Sequence, residues 1–133
     1  MANRTTTFIA AAACGVVLLL VYTATMAPSL TWAHNGADGG ELATAVARGT
    51  IPHPPGFPTY LLLGELFMRL PWSTPAWRLN LMSAVLAAGA AGLLVIASWY
   101  LLDRTENESP VVLCAACAGL TLGLSPLFWS QAL

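Results

Sequence analysis

The chain has 133 residues, a formal net charge of −1 and only 8% charged residues, while 57% of its residues are hydrophobic and the mean hydropathy is +0.70. Soluble domains carry about a quarter charged residues, so this composition predicts a membrane protein and excludes an ordinary soluble domain. A nucleic-acid-binding protein is also excluded, because such proteins need a basic patch or stripe.

The first apolar run, 7–26, follows a short polar N-terminus with one cation, Arg4. At about 1.5 Å per residue, a helix over this run is about 30 Å long, which is enough to cross the hydrocarbon core of a bilayer. The pattern is also typical of a signal peptide, with the small residues of 24–27 as its cleavage site. We favour an uncleaved first membrane helix, because the run is longer than the apolar part of a typical signal peptide.

The segment 27–58 holds much of the polarity of the chain and is predicted to be an external loop. Within it, 39–48 predicts a short amphipathic helix, with Asp38 as its N-cap and Gly49 at its C-terminal stop. Glu41 follows Asp38 by three residues and predicts a capping box, in which the Glu41 carboxylate accepts a hydrogen bond from the Asp38 backbone N–H.

Three further apolar runs follow. A helix over 59–70 is about 18 Å long, which fits either a short membrane helix or a re-entrant helix. The run 79–102 is a membrane span of good length, rich in Ala and Gly, so its backbone can approach neighbouring helices closely. The run 111–133 predicts a fourth membrane helix, kinked or ended near Pro126. The predicted fold class is therefore all-α, a polytopic transmembrane helix bundle in one partial membrane domain that covers 1–133.

The cations give a prediction of orientation. If the N-terminus is cytoplasmic and the second run crosses, Arg4, Arg69 and Arg78 lie inside, while Arg48 and Arg104 lie outside. Three cations inside against two outside agree weakly with the positive-inside rule. Under this topology both polar loops of the chain lie outside.

The three cysteines, Cys14, Cys114 and Cys117, all lie in apolar runs. A Cys-x-x-Cys pair also occurs in redox and zinc sites, but there is no second pair and neither histidine is near in sequence. We therefore interpret the cysteines as small packing residues and predict no metal site.

Asp38 and Glu41 are the candidate catalytic residues. Asp38 is flanked by small residues, so its carboxylate is approachable and could act as a general base toward a hydroxyl. From spacing alone, the capping role is the simpler alternative, and one residue can have both roles. Glu41 either completes the capping box or neighbours a substrate.

Arg48, His53 and His34 are the candidate substrate-binding residues. Arg48 near the end of the short helix either complements the helix dipole or binds a phosphate with both arms of its guanidinium. His53 stands between prolines, so its ring is restrained, either to serve a substrate or to stabilise a rigid turn. His34 carries the weaker signal. Glu65 lies inside an apolar run and either pairs with Arg69 or takes an interfacial position.

Four motifs in this order resemble the N-terminal part of a family of polytopic membrane proteins: Asp-Gly-Gly-Glu-Leu at 38–42, His-Pro-Pro-Gly-Phe-Pro at 53–58, Arg-Leu-Asn-Leu-Met-Ser-Ala at 78–84 and Phe-Trp-Ser-Gln-Ala at 128–132. That family was formerly of unknown function and is grouped with the GT-C glycosyltransferases. Its animal member is a protein O-mannosyltransferase. The resemblance covers about 28–133. Gly39 departs from it, because the family usually has serine there.

The resemblance implies an enzyme that moves a sugar, mannose in the animal member, from a polyprenyl-phosphate carrier to a protein or other hydroxyl acceptor at the outer or luminal face. The general-base role carries over to Asp38 in an inverting displacement. We hypothesise that His53 or Arg48 stabilises the charge of the leaving phosphate. No cofactor is expected beyond this lipid-linked donor, and the need for a divalent metal stays open.

The expected partners are the lipid bilayer, the lipid-linked donor, the acceptor and the remainder of a full-length chain. The implied location is a multi-pass protein of the bacterial inner membrane, or of the endoplasmic reticulum membrane in a eukaryote. We expect the 133 residues to be a fragment that is inactive alone. The alternatives are a transporter or flippase-like subunit, in which Glu65 and His53 form a relay, and a noncatalytic membrane assembly protein.

Overall fold

The computed structural model describes residues 4–31, 38–102 and 108–132, and within these ranges the chain is all-α with six helices. They are α1 (Arg4–Thr25), α2 (Gly39–Arg48), α3 (Pro58–Met68), α4 (Pro75–Leu102), α5 (Glu108–Gly123) and α6 (Pro126–Ala132). The all-α prediction is confirmed. The last apolar run is divided between α5 and α6 at Pro126, because proline has no N–H to continue the helix.

Helices α1 and α4 are long and apolar enough to cross a membrane by length and composition, whereas the apolar part of α5, Pro110–Gly123, is shorter. Many large apolar side chains on these helices are exposed, among them Phe8, Ile9, Leu20, Leu93 and Leu113. Soluble monomers rarely expose contiguous apolar surface on this scale. The length of the two helices and the exposed apolar side chains together indicate membrane association.

Small residues bring α1, α4 and α5 into close contact. A Cβ built on Gly92 in α4 would lie 3.1 Å from the carbonyl oxygen of Ala11 in α1. A Cβ on Gly119 in α5 would lie 2.9 Å from the carbonyl oxygen of Ala91. The buried Tyr22 hydroxyl donates a hydrogen bond of 2.7 Å to the Gly123 carbonyl, which fixes the end of α1 to the end of α5. These close approaches are possible because the backbones meet without intervening side chains.

The end of α1 and the beginning of α4 lie side by side. The Asn80 amide donates a hydrogen bond of 2.9 Å to the Ala27 carbonyl, while Gly15 faces Ala88 and Gly92 faces Ala11. The two helices are therefore antiparallel, and the chain between them leaves and returns at the same end of the bundle.

Residues 38–74, which contain α2 and α3, form an arm at this end of the bundle. Helix α3 has 11 residues, so it is only about 17 Å long. It packs with α2 on the first turns of α4, around Leu79 and Met82. Helix α3 therefore does not carry the chain to the other end of the bundle.

This arrangement differs from the topology that the cation count assumed, in which the second run crosses. Because α1 and α4 are antiparallel neighbours, Arg48, Arg69 and Arg78 all lie near the arm end, and Arg4 lies at the opposite end. The count of three cations inside and two outside assumed a crossing at 59–70, so the count does not apply to this arrangement. Arg104 lies outside the described residues.

Arg78 fixes the turn that joins the arm to α4. Its guanidinium donates hydrogen bonds to the carbonyls of Trp72 at 2.7 Å, Met68 at 2.9 Å and Ser73 at 3.1 Å. Two of these carbonyls belong to the irregular segment between the helices, and that of Met68 belongs to the last residue of α3. One charged side chain thus satisfies three backbone acceptors that the helices leave unpaired.

Candidate functional site

The candidate site residues that the structure describes lie on the arm. Asp38, Glu41 and Arg48 belong to α2 or its N-cap, and His53 lies in the turn that leads to α3. Spacings of three and seven residues place the first three along one side of α2. His34, the remaining candidate, lies outside the described residues.

The sequence explains why α2 ends at Arg48. Gly49 has φ of 64°, the left-handed conformation that glycine adopts without a steric cost,. The Thr50 N–H bonds to the Ala45 carbonyl at 2.9 Å and the Gly49 N–H bonds to the Val46 carbonyl at 3.4 Å. This pair of bonds satisfies carbonyls at the helix end and turns the chain toward His53.

Asp38 occupies the predicted N-cap position, but its side chain makes no capping hydrogen bond. Its backbone carbonyl accepts the first helical bond, from the Leu42 N–H at 2.9 Å. The residue is exposed. The simpler alternative, in which the carboxylate serves as the helix cap, is therefore not what the structure shows.

Glu41 does not form the predicted capping box. Its Oε1 accepts a hydrogen bond of 2.7 Å from the backbone N–H of His53, and its Oε2 lies 2.9 Å from Nδ1 of the His53 ring. The backbone N–H of His53, followed by its side chain, holds the pKa of Glu41 below its usual value. One carboxylate thus ties the first turn of α2 to the proline-rich turn 12 residues later.

His53 is held by its own turn as well as by Glu41. The Gly56 N–H donates to the His53 carbonyl at 2.9 Å, and the rings of His53 and Phe57 meet in a T-shaped arrangement with their centroids 5.4 Å apart. Phe57 has φ of 45°, in the left-handed region. Such a conformation costs about 1–3 kcal/mol in a residue other than glycine and persists where the surroundings enforce it.

Arg48 lines an open groove of about 450 Å³ on the arm, and Glu41 and His53 are not among the residues that line it. The groove lies between the chain that follows α1, helix α2 and the beginning of α4, where Ser29, Thr44 and Thr74 provide hydroxyl groups. Arg48 is two turns from Glu41, about 10 Å along the helix axis. The structure therefore separates this cation from the Glu41–His53 pair.

Glu65 does not take part in this group of residues. Its side chain is exposed on α3, and within the described ranges it forms no ion pair with Arg69. The partner of the His53 ring is Glu41. The relay of Glu65 and His53 expected for a transporter is therefore not formed by these contacts.

The described residues contain no group of three or more His, Cys, Asp or Glu side chains that could hold a metal ion. Cys14 is buried, and Cys114 and Cys117 are exposed free thiols.

Sequence reasoning did not identify the residues that hold the site in place. Arg78 connects the arm to α4, Asn80 connects α4 to the chain that follows α1, and the Trp129 indole N–H donates to the Thr25 hydroxyl at 3.2 Å. The motifs that contain Asn80, Arg78 and Trp129 were visible in the sequence. Their partners were not, because most of them are backbone carbonyls that any residue could supply.

Comparisons with known proteins converge on one family. A family model described as "Protein O-mannosyl-transferase TMEM260 N-terminal domain" matches residues 38–133. A mouse protein named protein O-mannosyl-transferase TMEM260 is 41% identical over 75 residues, which cover 56% of this chain and 10% of the mouse protein. Its Dictyostelium discoideum namesake is 28% identical over 124 residues, covering 88% of this chain and 14% of that protein. No solved structure matches significantly.

Proposed function

Because the chain belongs to the TMEM260 N-terminal domain family of protein O-mannosyl-transferases, we propose that it is the N-terminal part of a membrane glycosyltransferase. The reaction moves a sugar, mannose according to the names of the relatives, from a polyprenyl-phosphate carrier to a hydroxyl of a protein or glycan acceptor. The chain spans only 10–14% of the length of these relatives, and the remainder of such a protein would complete a GT-C-like polytopic bundle. The 133 residues alone are expected to be inactive.

The observation that supports this function is the concentration of charged side chains at one end of an apolar bundle. Asp38, Glu41, Arg48 and His53 belong to an arm that packs on the membrane helix α4. A lipid-linked sugar places its phosphate and sugar at the edge of the hydrocarbon core, while its polyprenyl chain stays in the lipid. An arm at the end of the bundle meets both parts of such a substrate.

The proposed reaction is an inverting displacement. The oxygen of the acceptor hydroxyl attacks the anomeric carbon, the bond from that carbon to the carrier phosphate breaks, and the phosphate leaves with the electron pair. Asp38 takes the proton of the hydroxyl as general base. Its exposed side chain, free of the capping bond, supports this role. Arg48 and His53 are the cationic and hydrogen-bonding groups available to the phosphate.

A transfer assay with the full-length protein tests the proposed function. Detergent-purified protein, a polyprenyl-phosphate mannose donor and a protein acceptor are expected to yield mannosylated acceptor. Because the displacement inverts, the anomeric configuration of the product is expected to be opposite to that of the donor, as read by NMR. A product that retains the configuration would contradict the mechanism, and no transfer would contradict the function.

Cysteine labelling tests the membrane topology of the arm. In a full-length protein without its native cysteines, single cysteines at Thr50 and at Leu102, the exposed last residue of α4, are expected to react with a membrane-impermeant reagent on opposite sides. The reason is that Thr50 lies on the arm and α4 runs from the arm to the other end of the bundle. The proposed topology has the arm on the periplasmic or luminal side. Reaction of both cysteines from one side would contradict the antiparallel arrangement across the membrane.

A further inference from the structure

The Glu41–His53 pair fixes which ring nitrogen of His53 carries a hydrogen. Glu41 has a lowered pKa because His53 donates to it, so it is ionised near neutral pH, and an ionised carboxylate only accepts hydrogen bonds. Its Oε2 lies 2.9 Å from Nδ1. Nδ1 must therefore bear the hydrogen, whether the ring is neutral or protonated.

The second ring nitrogen, Nε2, is the atom left for a substrate. No described residue makes a hydrogen bond to Nε2, and the side chain is 40% exposed. Glu41 also binds the backbone N–H of His53, and Phe57 contacts the ring. The imidazole is thus held at three points, while Nε2 is open. A carboxylate that holds Nδ1–H so that Nε2 can exchange a proton is a recurrent way to position a catalytic histidine.

We propose that Glu41 is the positioning residue of His53, and that His53 donates a proton through Nε2 to the phosphate that leaves the sugar. This inference rests on the proposed function and reassigns Glu41, which the sequence suggested as a catalytic residue itself. Asp38 then acts as the general base and His53 as the general acid. Groups held in different surroundings commonly take such opposite roles.

The protons and electrons of this step balance. The acceptor oxygen forms its bond to the anomeric carbon and gives its proton to Asp38. The bond from the carbon to the phosphate oxygen breaks, the electron pair stays on that oxygen, and the oxygen takes the proton of the protonated ring from Nε2. The second pKa of a phosphate monoester is about 6, so the departing phosphate dianion is basic enough to accept this proton as the bond to carbon breaks, and it exchanges the proton with solvent afterwards. His53 remains neutral with its hydrogen on Nδ1. Asp38 then releases its proton to solvent and solvent returns one to Nε2, which restores both groups.

Two variants of the full-length protein separate this role from a structural one. In Glu41→Gln, the amide oxygen still accepts from the His53 backbone, but the amide NH₂ faces Nδ1, which places the hydrogen of a neutral ring on Nε2 and opposes the protonated ring. In His53→Asn, the amide N–H replaces Nδ1–H as donor to Glu41, and no atom replaces Nε2. Both variants keep the tie between α2 and the turn.

We expect both variants to lower kcat by about 10²-fold, the lower part of the range for general acid–base catalysis. Their melting temperatures should stay within a few degrees of that of the unaltered protein. The alkaline fall of kcat, where the acid loses its proton, should disappear in both variants. The other titratable groups of the arm are unchanged in both variants: Asp38, Arg48, Tyr60, Glu65 and Arg69. Glu65→Gln is the matched control, since Glu65 is an exposed acid of the arm, and it should keep the kcat and pH profile of the unaltered protein.

Several outcomes would overturn the inference. An unaltered kcat in either variant would overturn the inference. A loss of kcat that leaves the alkaline fall in place would also overturn it, because a structural role explains such a loss. If Glu41→Gln fails to fold, His53→Asn decides the question. Loss of transfer in Asp38→Asn, with normal rates in Glu41→Gln and His53→Asn, rejects this inference and keeps the proposed function. Absence of transfer by the unaltered protein rejects both.

Discussion

Replacing Asp38 with asparagine in the full-length protein is expected to lower the rate of sugar transfer by about 10²- to 10⁴-fold, the usual contribution of a general base. Asparagine keeps the size of the side chain but does not take up a proton at neutral pH. The change should leave the fold intact. The Asp38 side chain makes no capping hydrogen bond, and asparagine is as good an N-cap as aspartate.

The measurement is kcat for mannose transfer, together with the melting temperature of the purified protein in detergent. Glu65→Gln serves as control, because it removes a carboxylate from the same arm at an exposed position on α3. An Asp38→Asn protein that melts normally and transfers at the original rate would exclude Asp38 as the base. A protein that no longer folds would instead show that the N-cap position matters for stability.

Among the substitutions proposed for this protein, replacing Gly119 with alanine is expected to lower the free energy of unfolding the most. A Cβ at this position would lie 2.9 Å from the Ala91 carbonyl oxygen and 3.2 Å from Sγ of Cys14. The first of these atoms is backbone and cannot rotate away, so α4 and α5 must separate. Overpacking of this kind costs about 1–3 kcal/mol, and loosening a contact shared by α1, α4 and α5 places the cost at the upper part of that range.

Gly15→Ala is the matched control for Gly119→Ala. It adds the same methyl group to a glycine of the same bundle, but its Cβ would lie 3.5 Å from the Ala88 carbonyl oxygen, an ordinary contact. Alanine also favours helix over glycine by about 1 kcal/mol, so this variant should be at least as stable as the unaltered protein. Unfolding by denaturant or heat in detergent measures the stabilities of both variants. Equal stabilities would show that α5 does not pack on α4 as closely as the structure has it.

The local elements of this protein could be predicted from the sequence. The bounds of α2 followed from Asp38 before the helix and Gly49 after it, and the break between α5 and α6 followed from Pro126. Each of these signals acts through the backbone of the residue itself or of its neighbours along the chain. For that reason, no knowledge of the packing was needed.

The sequence left two questions open that only the tertiary structure decided. An apolar run such as 59–70 is compatible with a crossing or with a return to the same side. The choice depends on how α1 and α4 pack, and the small residues Ala11, Gly15, Ala88 and Gly92 bring these helices together as antiparallel neighbours. Cation counting could not make this choice, since Arg78 is occupied by three carbonyls at the turn.

The partner of Glu41 was the second open question. Spacing favoured the Asp38 backbone three residues away, whereas the structure gives the carboxylate to His53, 12 residues away. A carboxylate accepts a hydrogen bond from whichever N–H is brought near, and the fold brings His53 near by turning the chain at Gly49 and at the prolines. The sequence by itself therefore determined the helices and the membrane character, through local conformation and composition. The tertiary structure decided the end of the bundle at which the arm lies and the nitrogen that His53 presents, because both depend on contacts between residues far apart in the chain.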